Sequence, residues 1–190
     1  MGYVRVVVEP GKQALLASPF TAPLRLSDPK VRAAVFGTET PLIQITTLTD
    51  GKRATYSFDD LSNDWAPAMP ELPHGAAFLL KNSPKSPLTV KFSGEVRQGL
   101  VRRPLPHGES MIAPLVPKPG SAQEAVGALP IDGAQILVWN DQTQAYQTST
   151  FDKHSNHWVP QLSIHPGHGV VVNFPEPSLQ AVLSVAPSAH

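Results

Sequence analysis

The chain repeats itself. Phe58-Asp59, Ser62-Asn63, Trp65 and Pro67 are answered in the second half by Phe151-Asp152, Ser155-Asn156, Trp158 and Pro160, each 93 positions after its partner. Six identities on one unbroken register, two of the chain's three tryptophans among them, are hard to obtain by chance. A long period of this kind means one supersecondary unit used twice, so each copy must build a core of its own. The copies divide the chain into a first β-rich repeat over 1–96 and a second over 97–190, with the boundary falling at Glu95 to Gln98. No Ser/Gly-rich linker separates them, which predicts units that pack together.

Other features follow in the same order. Gly2-Tyr3-Val4-Arg5 is matched by Gly99-Leu100-Val101-Arg102, and the turn at Pro10-Gly11 by Pro106-His107-Gly108. Apolar runs come next, at Ala14 to Ala17 and at Met111 to Ala113, and then a short helix in each half. Ser27 or Asp28 can cap the first helix, Pro29 suits its first position, and Gly37 stops it after Phe36. Ser121 with Glu124 three residues on has the spacing of a capping box. Strands are predicted over Leu42 to Leu48 and Ala54 to Phe58, joined by a hairpin at Asp50-Gly51, and over Ile136 to Trp139 and Tyr146 to Phe151. The most apolar strands follow, Ala76 to Leu80 and Gly169 to Val172, each closed by Asn and Pro (Asn82, Pro84; Asn173, Pro175). Leu88 to Phe92 and Leu179 to Val185 end the units. The fold class is therefore all-β, with one short helix per repeat: two pseudo-symmetric β-barrel or β-sandwich repeats packed together.

Composition supports short strands and tight turns. Of 190 residues 21 are Pro and only 16% are charged. No apolar run approaches 18 residues, which predicts no membrane insertion. The 15 basic and 15 acidic residues balance without long same-sign blocks, so no footprint for nucleic acid is present. Arg97, Arg102 and Arg103 come closest to a basic patch and read as a solvated strand or turn face. With no cysteine, disulfides and thiolate chemistry are excluded. Met1 to Val6 enters a strand-like pattern at once and does not read as a signal peptide.

Catalytic signatures are missing from the sequence: no Gly-x-Ser-x-Gly elbow and no Gly-rich loop opening a helix. Asp59 and Asp152 recur at the mouth of a hairpin, where Asp bonds its own turn backbone. No catalytic residue, metal ligand or cofactor is assigned. His154-x2-His157 and His165-x2-His168 put four imidazoles within 15 residues, enough for a zinc-like ion if a hairpin joined the pairs. The first repeat has Leu61 and Asp64 at the positions of His154 and His157, so the unit does not need histidine there, and surface turn histidines are the expectation. Trp65 and Trp158, beside Asp59, Asp152, Asn63 and Asn156, form a candidate ligand-binding set, because an exposed indole flanked by polar side chains suits a sugar ring. In the competing and preferred interpretation each Trp closes the core of its copy, its ring N–H bonded to a carbonyl.

The Gly-Tyr-Val start, the apolar strand leading to Ser18-Pro19-Phe20, the Phe-Asp…Trp-x-Pro hairpin and the His165-Pro166-Gly167-His168-Gly169 turn resemble tandem modules of exported proteins in planctomycete and verrucomicrobial bacteria. That family's turn reads Asn-Pro-Gly-Glu-Gly, followed by aromatics; valines follow here, and the first copy, Leu72-Pro73-His74-Gly75-Ala76, departs further. Val116-Pro117-Lys118-Pro119-Gly120 is also similar to the family's Val-Pro-Gln-Ala-Gly. The resemblance implies extracellular or cell-surface residence and supplies no activity. The leading expectation is a non-enzymatic structural or interaction module whose partners are itself, as a homo-oligomer or assembly, or other surface proteins. The alternatives are a carbohydrate-binding module that recognises glycans through the Trp65 and Trp158 hairpins, and a metal-dependent hydrolase working through the hairpin from His154 to His168.

Overall fold

Short apolar runs cut by Pro and Gly become short antiparallel strands. The computed structural model describes residues 1–38, 42–96, 99–104, 108–115, 118–127, 131–175 and 180–185, with backbone pairing alone at 99–104 and 180–185. Pro106, His107, Val116, Pro117, Arg97, Gln98 and Leu179 lie outside the described residues. The first repeat runs β1 (Gly2–Val8), β2 (Gln13–Ala17), α1 (Pro29–Phe36), β3 (Gln44–Thr49), β4 (Lys52–Asp59), β5 (Asp64–Ala66), β6 (Ala77–Lys81), β7 (Leu88–Gly94). The second runs β8 (Gly99–Pro104), β9 (Gly108–Ile112), β10 (Gly120–Ser121), α2 (Ala122–Val126), β11 (Gln135–Asn140), β12 (Ala145–Asp152), β13 (His157–Val159), β14 (Ser163–Ile164), β15 (Val170–Phe174), β16 (Gln180–Val185).

Each repeat holds a five-stranded antiparallel sheet, ordered β2-β6-β3-β4-β5 in the first and β9-β15-β11-β12-β13 in the second. The first and last strands of each repeat pair separately, β1 with β7 and β8 with β16. Neither sheet closes into a barrel, and the architecture is all-β and sandwich-like. In the first repeat the β1–β7 ribbon lays Val4, Val6, Val8, Val90 and Phe92 into the core shared with Phe78 and Leu80 of β6 and with α1. Strict alternation along β1 makes this possible, since every second side chain points the same way.

Local chemistry fixes the ends. The Lys30 N–H donates to Asp28 Oδ1 (2.8 Å), so Asp28 caps α1 with Pro29 behind it. Asp50 and Gly51 both have positive φ, the conformation a two-residue hairpin loop needs. The capping box at Ser121 and Glu124 does not form: the Ser121 side chain makes no cap bond. Ser121 instead pairs with Ser163 across β10–β14, and the Ala122 N–H at the start of α2 donates to Leu162 O (2.8 Å). Strand pairing supplies the partner that the cap would have given.

The two repeats are clasped by exchanged turns. The Ala17 N–H donates to Gly167 O (2.9 Å) and the Gly169 N–H to Leu15 O (2.9 Å), while the Ala113 N–H donates to Gly75 O (2.8 Å). Leu16 bridges to His168 and Ala76 to Ile112, the same contact made in each direction. Between the sheets lies a second apolar layer of Leu15, Ala17, Leu48 and Ala77 against Met111, Ala113 and Val171. This explains why β2 and β6 are apolar at consecutive positions: both faces are buried. Strand register makes Ala77 and Gly169 equivalent, since Leu80 pairs with Ile45 as Val172 pairs with Ile136. These equivalent residues meet at the crossing, where a Cβ on Gly169 would stand 2.5 Å from that of Ala77. With a side chain on both, the strands would have to shift apart, so glycine at one of the two is favoured.

Candidate functional site

The recurring hairpins are built inward. Trp65 is 4% exposed, its Nε1 donates to Leu26 O (3.0 Å), and its ring meets Phe58 edge-on at 5.4 Å. Trp158 is 9% exposed and packs on Phe151 at 5.6 Å. Neither indole offers a face to a sugar ring, which corrects the platform expectation: the apolar area of the ring is spent on the core. Their polar neighbours hold the turns. Asp59 accepts from Ser62 Oγ (2.9 Å) and from the Leu61 N–H (3.1 Å), and these two bonds hold its carboxyl below the ordinary value. Asp152 accepts from the His154 N–H (2.9 Å), and its carboxyl is likewise lowered, chiefly by that bond. Asn63 and Asn156 occupy left-handed turn positions at φ 53 and 56, which Asn tolerates better than most residues. Asn63 Oδ1 also accepts from Arg32 Nη2 (2.9 Å); Arg32 is buried in α1 with its guanidinium 4.5 Å from the centre of the Phe58 ring. Sequence patterning hid Arg32 inside an apolar helix.

The histidines divide. His154 and His157 are exposed on the β12–β13 hairpin. His165 and His168 lie with ring centres 6.4 Å apart, and His168 Nε2 is 3.1 Å from Asp141 Oδ2. Among the described residues no three His, Asp or Glu side chains converge as a metal ion requires.

His165 and His168 instead border a cleft of about 300 Å³ at one end of the second sheet. Val138 and Trp139 supply its accessible apolar part over the buried Ile164, and Asn140, Asp141, Gln147, Ser163 and the two histidines its polar part. The first repeat has a cleft of about 340 Å³ in the equivalent place, where Thr49, Asp50, Ala54, Glu71, Pro73 and Ala76 stand for those six. The frame is shared, and the chemistry differs between copies. Within the second cleft the arrangement can present hydrogen-bond donors and acceptors side by side. Of these residues only the histidines stood out in the sequence, as part of a turn; Asn140, Asp141 and Gln147 carry no motif and join them only through the pairing of β11 with β12 and β15.

No protein-family model, curated protein or solved structure matches the chain.

Proposed function

We propose that the chain is a non-enzymatic structural or interaction module of the cell exterior that acts by assembling with itself or with other surface proteins. The observation that carries this is the outer ribbon. Among the described residues β1 pairs on one side only, and its outward face carries Tyr3, Arg5 and Val7, with Tyr3 and Val7 61% and 45% exposed. A seven-residue strand with one open edge and exposed apolar side chains is a template for strand addition. The β8–β16 pairing repeats that of β1–β7, so one chain carries two ribbons of the same kind. The resemblance to exported tandem modules supports the exterior location. Among the described residues no helix is long and apolar enough to cross a membrane.

Light scattering after size exclusion, with electron microscopy of the same material, tests the assignment. Concentration-dependent assembly is expected, and Val7→Lys should weaken it by replacing an exposed apolar contact with a further positive charge beside Arg5 and Lys91. A parent protein that stays monomeric at high concentration and finds no surface partner contradicts the proposal.

A further inference from the structure

We infer that the cleft of the second repeat binds a single neutral sugar residue, a function the equivalent cleft of the first repeat lacks. The inference is independent of the assembly proposed above. It rests on what each polar group has left to give. Asn140 Oδ1 accepts from the Gln142 N–H (2.9 Å) and the Thr143 N–H (3.0 Å), so its amide nitrogen remains as a donor. Asp141 Oδ2 takes His168 Nε2, and the second carboxylate oxygen remains as an acceptor. The side chains of Gln147, Ser163 and His165 have no hydrogen-bond partner among the described residues, although they line one cleft. Donors and acceptors thus stand beside the partly exposed side chains of Val138 and Trp139, a combination that suits hydroxyl groups around a ring with C–H faces.

Other ligand classes fit less well. No Lys or Arg lines the cleft and Asp141 does, which disfavours phosphates and other polyanions. Among the described residues a metal lacks the three converging ligands. The volume lies at the small end of ligand clefts, enough for one ring rather than a chain. The duplication supplies an internal comparison: where the second copy has Gln147, His165 and His168, the first has Ala54, Pro73 and Ala76, which offer no side-chain hydrogen bond, and its remaining polar wall carries Lys52 and Glu71 as charges.

The test is an NMR titration of the whole chain with five free sugars, glucose, galactose, mannose, xylose and N-acetylglucosamine. At least one should shift the side-chain amides of Asn140 and Gln147 and the rings of His165 and His168 saturably, with half-saturation at about 1 mM. Thr49, Asp50 and Ala54 should not move. The exposed pair Gln147→Ala with Ser163→Ala should weaken binding at least about tenfold while the remaining spectrum shows the fold intact. The inference is overturned if none of the five sugars gives a saturable shift, if both clefts respond equally, or if the double variant titrates like the parent. Shifts of this cleft with zinc chloride but with no sugar would make it a metal site and also overturn it.

Discussion

The two repeats use one frame with unequal furnishings. Both bury the Trp of the hairpin, both turn the hairpin with Asp and a left-handed Asn, and both lend a turn to the neighbouring repeat. They differ where the frame does not need them to agree. Arg32 ties α1 to the hairpin in the first repeat, whereas Ala122 holds the matching buried position, five residues before the closing glycine, in the second. The clefts differ at five of the six polar positions, Asp50 and Asp141 alone agreeing. What recurs is folding information, and individual function belongs to what differs.

Removing the shared plug should have the largest effect. Trp65→Ala should cost about 4 kcal/mol and Trp158→Ala about 3 kcal/mol, measured by urea unfolding, the larger loss going to the more buried ring with its bond to Leu26 O. A Trp variant of unchanged stability would return the indoles to the surface. Next comes the crossing between the repeats. Gly169→Ala should cost about 2 kcal/mol, because the new methyl meets Ala77 across a rigid backbone. Adding Ala77→Gly should restore all but about 1 kcal/mol, the cost of glycine in a strand, since the pair then only exchanges sides. A double variant no better than Gly169→Ala would separate the two positions. The smallest effect is in acid. The folded carboxyls of Asp59 and Asp152 lie below the ordinary value, so their stabilisation is present above that value and lost as pH falls through the lowered one. Both lie partly exposed at the surface, where solvent screens them, and Asp59→Asn with Asp152→Asn should only slightly flatten the fall in stability between about pH 5 and pH 2. An unchanged acid limb would deny those turns a part in it.

Much of the frame was legible because each copy checks the other. The hairpin signature, the α1 cap at Asp28 and the Asp50-Gly51 turn follow from local chemistry that needs no partner. Ser121 was misleading because its partner across the β10–β14 pair lies 42 residues away, beyond any local spacing rule. The clasp was hidden for a similar reason. Gly169 reads as an ordinary turn residue until strand pairing sets it against Ala77, and His168 as an ordinary turn histidine until Asp141 is beside it. The cleft is assembled from β11, β12, β14 and the turn before β15, so no contiguous segment could announce it.

Whether the repeats form one body can be read from native-state hydrogen exchange at Ala17, Ala113 and Gly169, whose N–H groups make three of the backbone bonds between the repeats. All three are expected to exchange only with global unfolding, at the rate of β2 and β15 amides such as Leu16 and Val171. Rapid exchange at these three while the strands of both repeats stay protected would contradict it: the repeats would then be separate bodies, and the turns no clasp.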